Sequence, residues 1–175
     1  MAVLTLLDPV TKTINDPKEI KKYMNDRGII FEQWEASMPL NDTDSQETIL
    51  KAYEHELGPY MKKHGYVNAD VINVHKDTPN IEAIRAKFLS EHTHSEDEVR
   101  FFVDGEGYFF FHLPDSKEVF KLLCEKGDFI SVPKGYTHWF DLAPRYFVKA
   151  IRVFQTPDGW VASYTGSEKE KSYNL

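Results

Sequence analysis

Two histidines one residue apart, His92 and His94, precede a glutamate at position 98, and a further histidine follows at position 138. On an extended strand, side chains two residues apart point to the same face, so the two imidazoles share a side. A carboxylate four residues further has the same parity and joins them if the strand continues. His138 then arrives from a separate strand. These donors are nitrogen and oxygen with no sulfur, a set that suits iron, nickel, manganese or zinc. Seven histidines in 175 residues give such a histidine pair by chance about 0.3 times, and requiring the acid cuts this to roughly 0.05. The spacing therefore carries information. Glu96 and Asp97 compete with Glu98 for the carboxylate position, and motif spacing favours Glu98.

The elements around these residues divide the chain into two halves. In the first, an apolar strand is predicted over 3–7, and Asp16-Pro17 opens a helix with Asp16 as cap, Pro17 at its first position and Gly28 as its stop. A strand follows over 29–36. A second helix is predicted over 45–63, with Ile49, Leu50, Tyr53 and Leu57 on one face and Pro59 as an interruption. After a strand over 71–74, Thr78-Pro79 caps a third helix carrying Ile81, Ile84, Arg85 and Phe88. From Val99 onward, short strands alternate with turn signals: 99–103, 108–112, 119–124, 129–132, 137–142, 147–154 and 160–164. Asp104-Gly105 with Glu106-Gly107 predicts a hairpin between the first two. The expected class is mainly β, a jelly-roll barrel with helices added in the N-terminal half. It forms a single domain over 1–175, with a mixed α/β elaboration over 1–88, a metal-binding barrel over 89–165 and a loose polar tail over 166–175.

Composition narrows the partners. A net charge of −7 argues against nucleic acid and anionic membranes, which attract basic patches. With 41% hydrophobic residues, the chain can bury a globular core. Cys124, the single cysteine, rules out an internal disulfide and fits a reducing cytoplasm. No apolar run of spanning length and no cationic-then-apolar start is present, so a cytoplasmic monomer is expected.

The motif's surroundings extend the reading. Glu98 is followed at position 105 by glycine, and His138 is preceded by Gly127 and Pro133-Lys134-Gly135, the two halves of a cupin signature. The stretch from Glu91 through Gly105, with its Glu98-Val99-Arg100-Phe101-Phe102 run, together with Thr137-His138-Trp139-Phe140-Asp141, closely resembles the acireductone dioxygenases of methionine salvage. The position four residues after His138 is Leu142, where generic cupins often have Asn, and this too favours the dioxygenase branch.

The resemblance implies metal ligation by His92, His94, Glu98 and His138, with one iron(II) or nickel(II) per chain. It also implies O2-dependent cleavage of an enediol, 1,2-dihydroxy-3-keto-5-methylthiopentene. The iron form gives 4-methylthio-2-oxobutanoate and formate. The nickel form gives 3-methylthiopropionate, formate and carbon monoxide. Four protein ligands leave two octahedral positions for a substrate that binds through two oxygens.

Arg100 shares the ligand parity and could hold an enediolate oxygen as a catalytic residue, the alternative being a salt bridge to Glu96 or Asp104. Arg152 is a second candidate for anion contact or an ordinary surface arginine. Phe88, Phe140 and Trp160 could wall an apolar pocket for the thioether, although such residues are more often core. His112 reads as an ordinary half-buried histidine. Two further readings keep the fold: a sugar-phosphate isomerase or small-acid oxygenase, and a non-catalytic metal-binding cupin.

Overall fold

The computed structural model describes residues 1–157, 161–173 and 175. Among the described residues, four α-helices all precede residue 90, and strands dominate the second half. Helix α1 (Pro17–Asn25) starts as its sequence predicts. The Asp16 side chain accepts from the backbone N–H groups of Lys18 and Glu19, and Ile20 and Met24 face the core. Gly28 follows in the turn with φ +77°.

The expected second helix is two, α2 (Gln46–Ala52) and α3 (Glu54–His64). The break falls at Tyr53, and Pro59 lies inside α3 without ending it. The cause is tertiary. The Ala52 carbonyl accepts from the Ser37 N–H and hydroxyl, at 2.8 and 3.0 Å, so the Glu56 N–H bonds Tyr53 O instead. Helix α4 (Ile81–Leu89) begins after Asn80 in a left-handed conformation. Thr78 does not cap it, because its hydroxyl accepts from the His75 N–H in the preceding turn.

The strands are β1 (Val3–Asp8), β2 (Lys12–Ile14), β3 (Ile30–Gln33), β4 (Asn68–Val74), β5 (His92–His94), β6 (Glu98–Leu113), β7 (Glu118–Glu125), β8 (Asp128–Val132), β9 (Thr137–Asp141), β10 (Val148–Phe154) and β11 (Ala162–Tyr164). One layer runs β11-β5-β9-β6-β7-β1-β2, the other β4-β10-β6-β8-β3, all antiparallel. Strand β6 belongs to both layers. Its first half pairs with β8 and β10, its second with β7 and β9.

The predicted hairpin at Asp104-Gly105 is therefore absent. Gly105, at φ +77°, bends a single 16-residue strand from one layer into the other. A Cβ there would stand 2.1 Å from the Phe147 carbonyl oxygen, which accepts instead from the Glu106 N–H. Between the layers lies an apolar core that includes Phe102, Phe109, Phe111, Phe120 and Phe140.

The tail is not loose. A 3-10 turn (Lys169–Ser172) packs it back, with Tyr173 donating to Asp8 and Glu170 accepting from the Glu91 N–H. Among the described residues, no helix is long and apolar enough to cross a membrane.

Asp128, 1% exposed at the start of β8, accepts from Gln33 Nε2 and the Glu125 N–H. Burial pushes its carboxyl up to about 6. A folded-state value above the unfolded one means the folded chain binds the proton more tightly. The associated stability is full below about pH 3.9 and is lost as the pH rises through about 6. Asp128→Asn, which cannot ionise, is expected to gain roughly 2–3 kcal/mol relative to wild type between pH 4 and pH 7. Urea unfolding of the two proteins at both pH values measures this, and a pH-independent difference would contradict it.

Candidate metal centre

His92 and His94 lie on β5 with Thr93 facing the other way, as alternation requires. His138 on β9 is the cross-strand neighbour of His92. Glu98 is not on the same strand as His94. Residues 95–97 leave the ladder, and Glu98 opens β6. The turn is set by its own acids: Glu96 accepts from Thr156 Oγ1 and the Gln155 N–H, and Asp97 accepts from the Lys134 N–H and Tyr66 Oη. The two carboxylates that competed with Glu98 in sequence are thus engaged elsewhere.

The result is a buried cluster in which His92, His94, Glu98 and His138 each bring one donor atom within 4.8 Å of the others. All four are at most 5% exposed. Each imidazole is held from behind by a backbone carbonyl: His92 Nδ1 by Ser90 O at 2.7 Å, His94 Nδ1 by Val161 O at 3.1 Å, and His138 Nδ1 by Tyr136 O at 2.9 Å. A carbonyl only accepts, so each Nδ1 carries the hydrogen and a neutral ring keeps its lone pair on Nε2.

Those lone pairs face inward. His94 Nε2 and His138 Nε2 lie 3.0 and 2.8 Å from the same oxygen, Glu98 Oε2. Lone pairs at that separation repel unless a cation or a proton lies among them. Burial, followed by the neighbouring His138, pushes His92 down to about 4, so it is neutral and ligand-competent at pH 7. Burial would raise Glu98, but the Arg100 guanidinium beside it outweighs this and holds the carboxyl well below its usual range. Three imidazoles and one carboxylate, with no sulfur, are a donor set that fits a divalent transition ion. The carbonyls behind the rings fix their orientation, as is usual for metal-binding histidines.

Arg100 is 2% exposed and forms an ion pair with Glu98, its Nε 2.8 Å from Oε1. Its ion pair is therefore with the cluster's own carboxylate, not with Glu96 or Asp104. The rings of Phe88 and Phe140 lie 5.5 and 5.4 Å from the guanidinium. Phe140 belongs to the core, where it packs 4.8 Å from Phe109. Phe88 is partly buried and lines a cleft of about 430 Å³ with Lys87, Val161, Ala162 and Tyr164. Arg152 is the cross-strand neighbour of Arg100, but Nε and Nη2 of its guanidinium bind Asp70 at 2.9 and 2.6 Å. Trp160 lies outside the described residues. A larger cleft, about 640 Å³ between residues 26–28 and 113–118, contains none of the four donors.

Glu91 and the Val161 carbonyl were missed in the sequence. Glu91 sits beside the motif, but nothing local marks it as buried, and a backbone carbonyl leaves no trace in residue types.

The ARD/ARD' family profile matches residues 6–162. The chain is 52% identical over 162 residues to an acireductone dioxygenase of Picosynechococcus sp., covering 93% of this chain and 92% of that one. It is 45% identical over 178 aligned positions to an acireductone dioxygenase of Klebsiella pneumoniae subsp. pneumoniae, covering 99% and 98%. Among solved structures, the acireductone dioxygenase of Bacillus anthracis with a cadmium ion in its active centre superposes with a TM-score of 0.84 at 34% identity, over 94% of this chain and 98% of that one. A profile spanning most of the chain, full-length relatives and the shared cupin-type barrel agree: the chain belongs to the ARD/ARD' family.

Proposed function

We propose that this protein is a metal-dependent acireductone dioxygenase whose ion, iron(II) or nickel(II), is held by His92, His94, Glu98 and His138. The observation that carries the reading is the inward convergence of three Nε2 lone pairs and one carboxylate, with every Nδ1 occupied from behind. When bound, the ion supplies Lewis-acid polarisation and a template for two substrate oxygens. The chain supplies the rest. A divalent ion (+2), Glu98 (−1) and Arg100 (+1) sum to +2, which matches a dianionic enediolate and offsets the chain's negative overall field. Arg100 acts on the substrate as a fixed positive charge in a water-poor setting, where electrostatic stabilisation is strongest. Phe88 and Phe140 flank its guanidinium, exclude water there and offer an apolar wall to a methylthio tail.

The proposal includes a single cupin-type unit acting as a cytoplasmic monomer, with no nucleic-acid partner. The acidic net charge speaks against a nucleic-acid partner, and the one buried cysteine fits a reducing cytoplasm. The test is to strip the protein, reload it separately with iron(II) and nickel(II), and supply the enediol while recording oxygen uptake and products. The expected result is stoichiometric oxygen consumption with both metals, the keto acid from iron and carbon monoxide from nickel alone. Turnover without oxygen consumption would point to an isomerase, and identical products would refute control by the metal.

A further inference from the structure

Glu91 precedes the first histidine of the cluster and is 3% exposed, yet its carboxylate is engaged on the side of the C-terminal segment. Oε1 accepts from the hydroxyls of Thr165 at 2.6 Å and Ser167 at 2.5 Å, and Oε2 accepts from His112 Nδ1 at 3.0 Å. Thr165 follows directly on β11, which pairs with β5 through Ala162↔His94, Ser163↔Thr93 and Tyr164↔His92. A three-residue edge pairing is marginal on its own, so what fastens its end decides how closely it lies. The approach of this segment also brings the Val161 carbonyl to His94 Nδ1.

The three histidines differ in this respect. His92 and His138 each use a carbonyl two residues away in their own segment, which local backbone sets. His94 uses one 67 residues further along the chain.

We infer that Glu91 is a positioning residue of the metal centre: by fastening Thr165 and Ser167 it holds β11 against β5, so that Val161 O keeps the His94 ring turned with Nε2 inward. The inference rests on the metal-ligand reading above. Glu91 does not touch the ion. Its effect reaches one ligand of the four, through a backbone carbonyl. The main-chain bond from Thr165 N to Glu91 O, at 3.1 Å, remains when the hydroxyls are removed, so the segment loosens without detaching.

The test uses the full chain loaded with cobalt(II). The double variant Thr165→Val with Ser167→Ala leaves residue 91 intact and removes both hydroxyls, and Glu91→Gln changes the carboxylate itself. Chelator competition is expected to show cobalt affinity lowered about tenfold, within the range for changes just outside a ligand set. Proton NMR of the cobalt-loaded protein is expected to show three shifted, exchangeable imidazole N–H resonances. In the variants the His94 resonance exchanges about tenfold faster while the other two keep their wild-type rates. Thr165→Ser with Ser167→Thr, which preserves both hydroxyls, restores the wild-type pattern. Unchanged affinity in the double variant, or equal acceleration of all three resonances, overturns the inference. If Glu91→Gln fails to fold, the double variant carries the test alone. Wild-type protein that binds no cobalt would refute the ligand reading itself, a result visible before any variant is compared.

Discussion

Replacing Glu98 with Gln is expected to cost the protein its metal and a large part of its stability in one step. Glu98 Oε2 is the oxygen that both His94 Nε2 and His138 Nε2 face, and Oε1 receives the Arg100 guanidinium. An amide removes the negative charge from a four-donor set and leaves Arg100 buried opposite a neutral group. Metal affinity should fall by more than about 100-fold, the upper end seen when only the supports of a ligand are changed. Breaking a buried ion pair by removing one partner costs about 3–5 kcal/mol. Metal content per chain after gel filtration measures the first effect, and urea unfolding of the stripped protein the second. A Glu98→Gln variant that retains one ion per chain would contradict the ligand set. One that holds its metal-free stability would contradict the importance of the Arg100 pair.

Arg100→Met should separate those two effects. It preserves most of the side chain's bulk between Phe88 and Phe140 while removing its charge. The metal-free variant leaves the Glu98 carboxylate buried without its cation, and a loss of about 3–5 kcal/mol is expected. A bound divalent ion restores positive charge beside that carboxylate, so metal should be retained. Binding then stabilises the variant more than it does wild type. Turnover of the enediol should nevertheless fall by about 10²–10³-fold, the usual effect of removing one fixed charge from a developing anion. Metal analysis, unfolding with and without added ion, and steady-state rates measure the three outcomes. Wild-type turnover with full metal content would remove Arg100 from the catalytic set and leave it a structural partner of Glu98.

Much of the site was legible in residue types because its logic is chemical. The alternation of a strand places His92 and His94 on one face whatever surrounds them. The structure brings Glu98 to the histidines, though not by the geometry the sequence suggested. Its parity with His94 assumed an unbroken strand, whereas a turn intervenes and Glu96 and Asp97 fix its course. The hairpin expected at Asp104-Gly105 failed because a left-handed glycine serves a bend within one strand as well as a turn. Only the neighbouring Phe147 carbonyl and strand β10 distinguish the two. The helix break followed the same rule: Pro59 is the conspicuous local breaker, but a carbonyl claimed by Ser37 stops the helix at Tyr53.

The chain's residues alone determined which atoms could bind an ion and the mainly-β class, since donor chemistry and strand periodicity are local properties. Tertiary structure decided that Glu98 stands between two imidazoles, that Arg100 binds that carboxylate, and that Val161 lends a carbonyl to His94. The partners in the second group come from separate elements. Packing between layers brings those elements together, and no local pattern in the sequence encodes it.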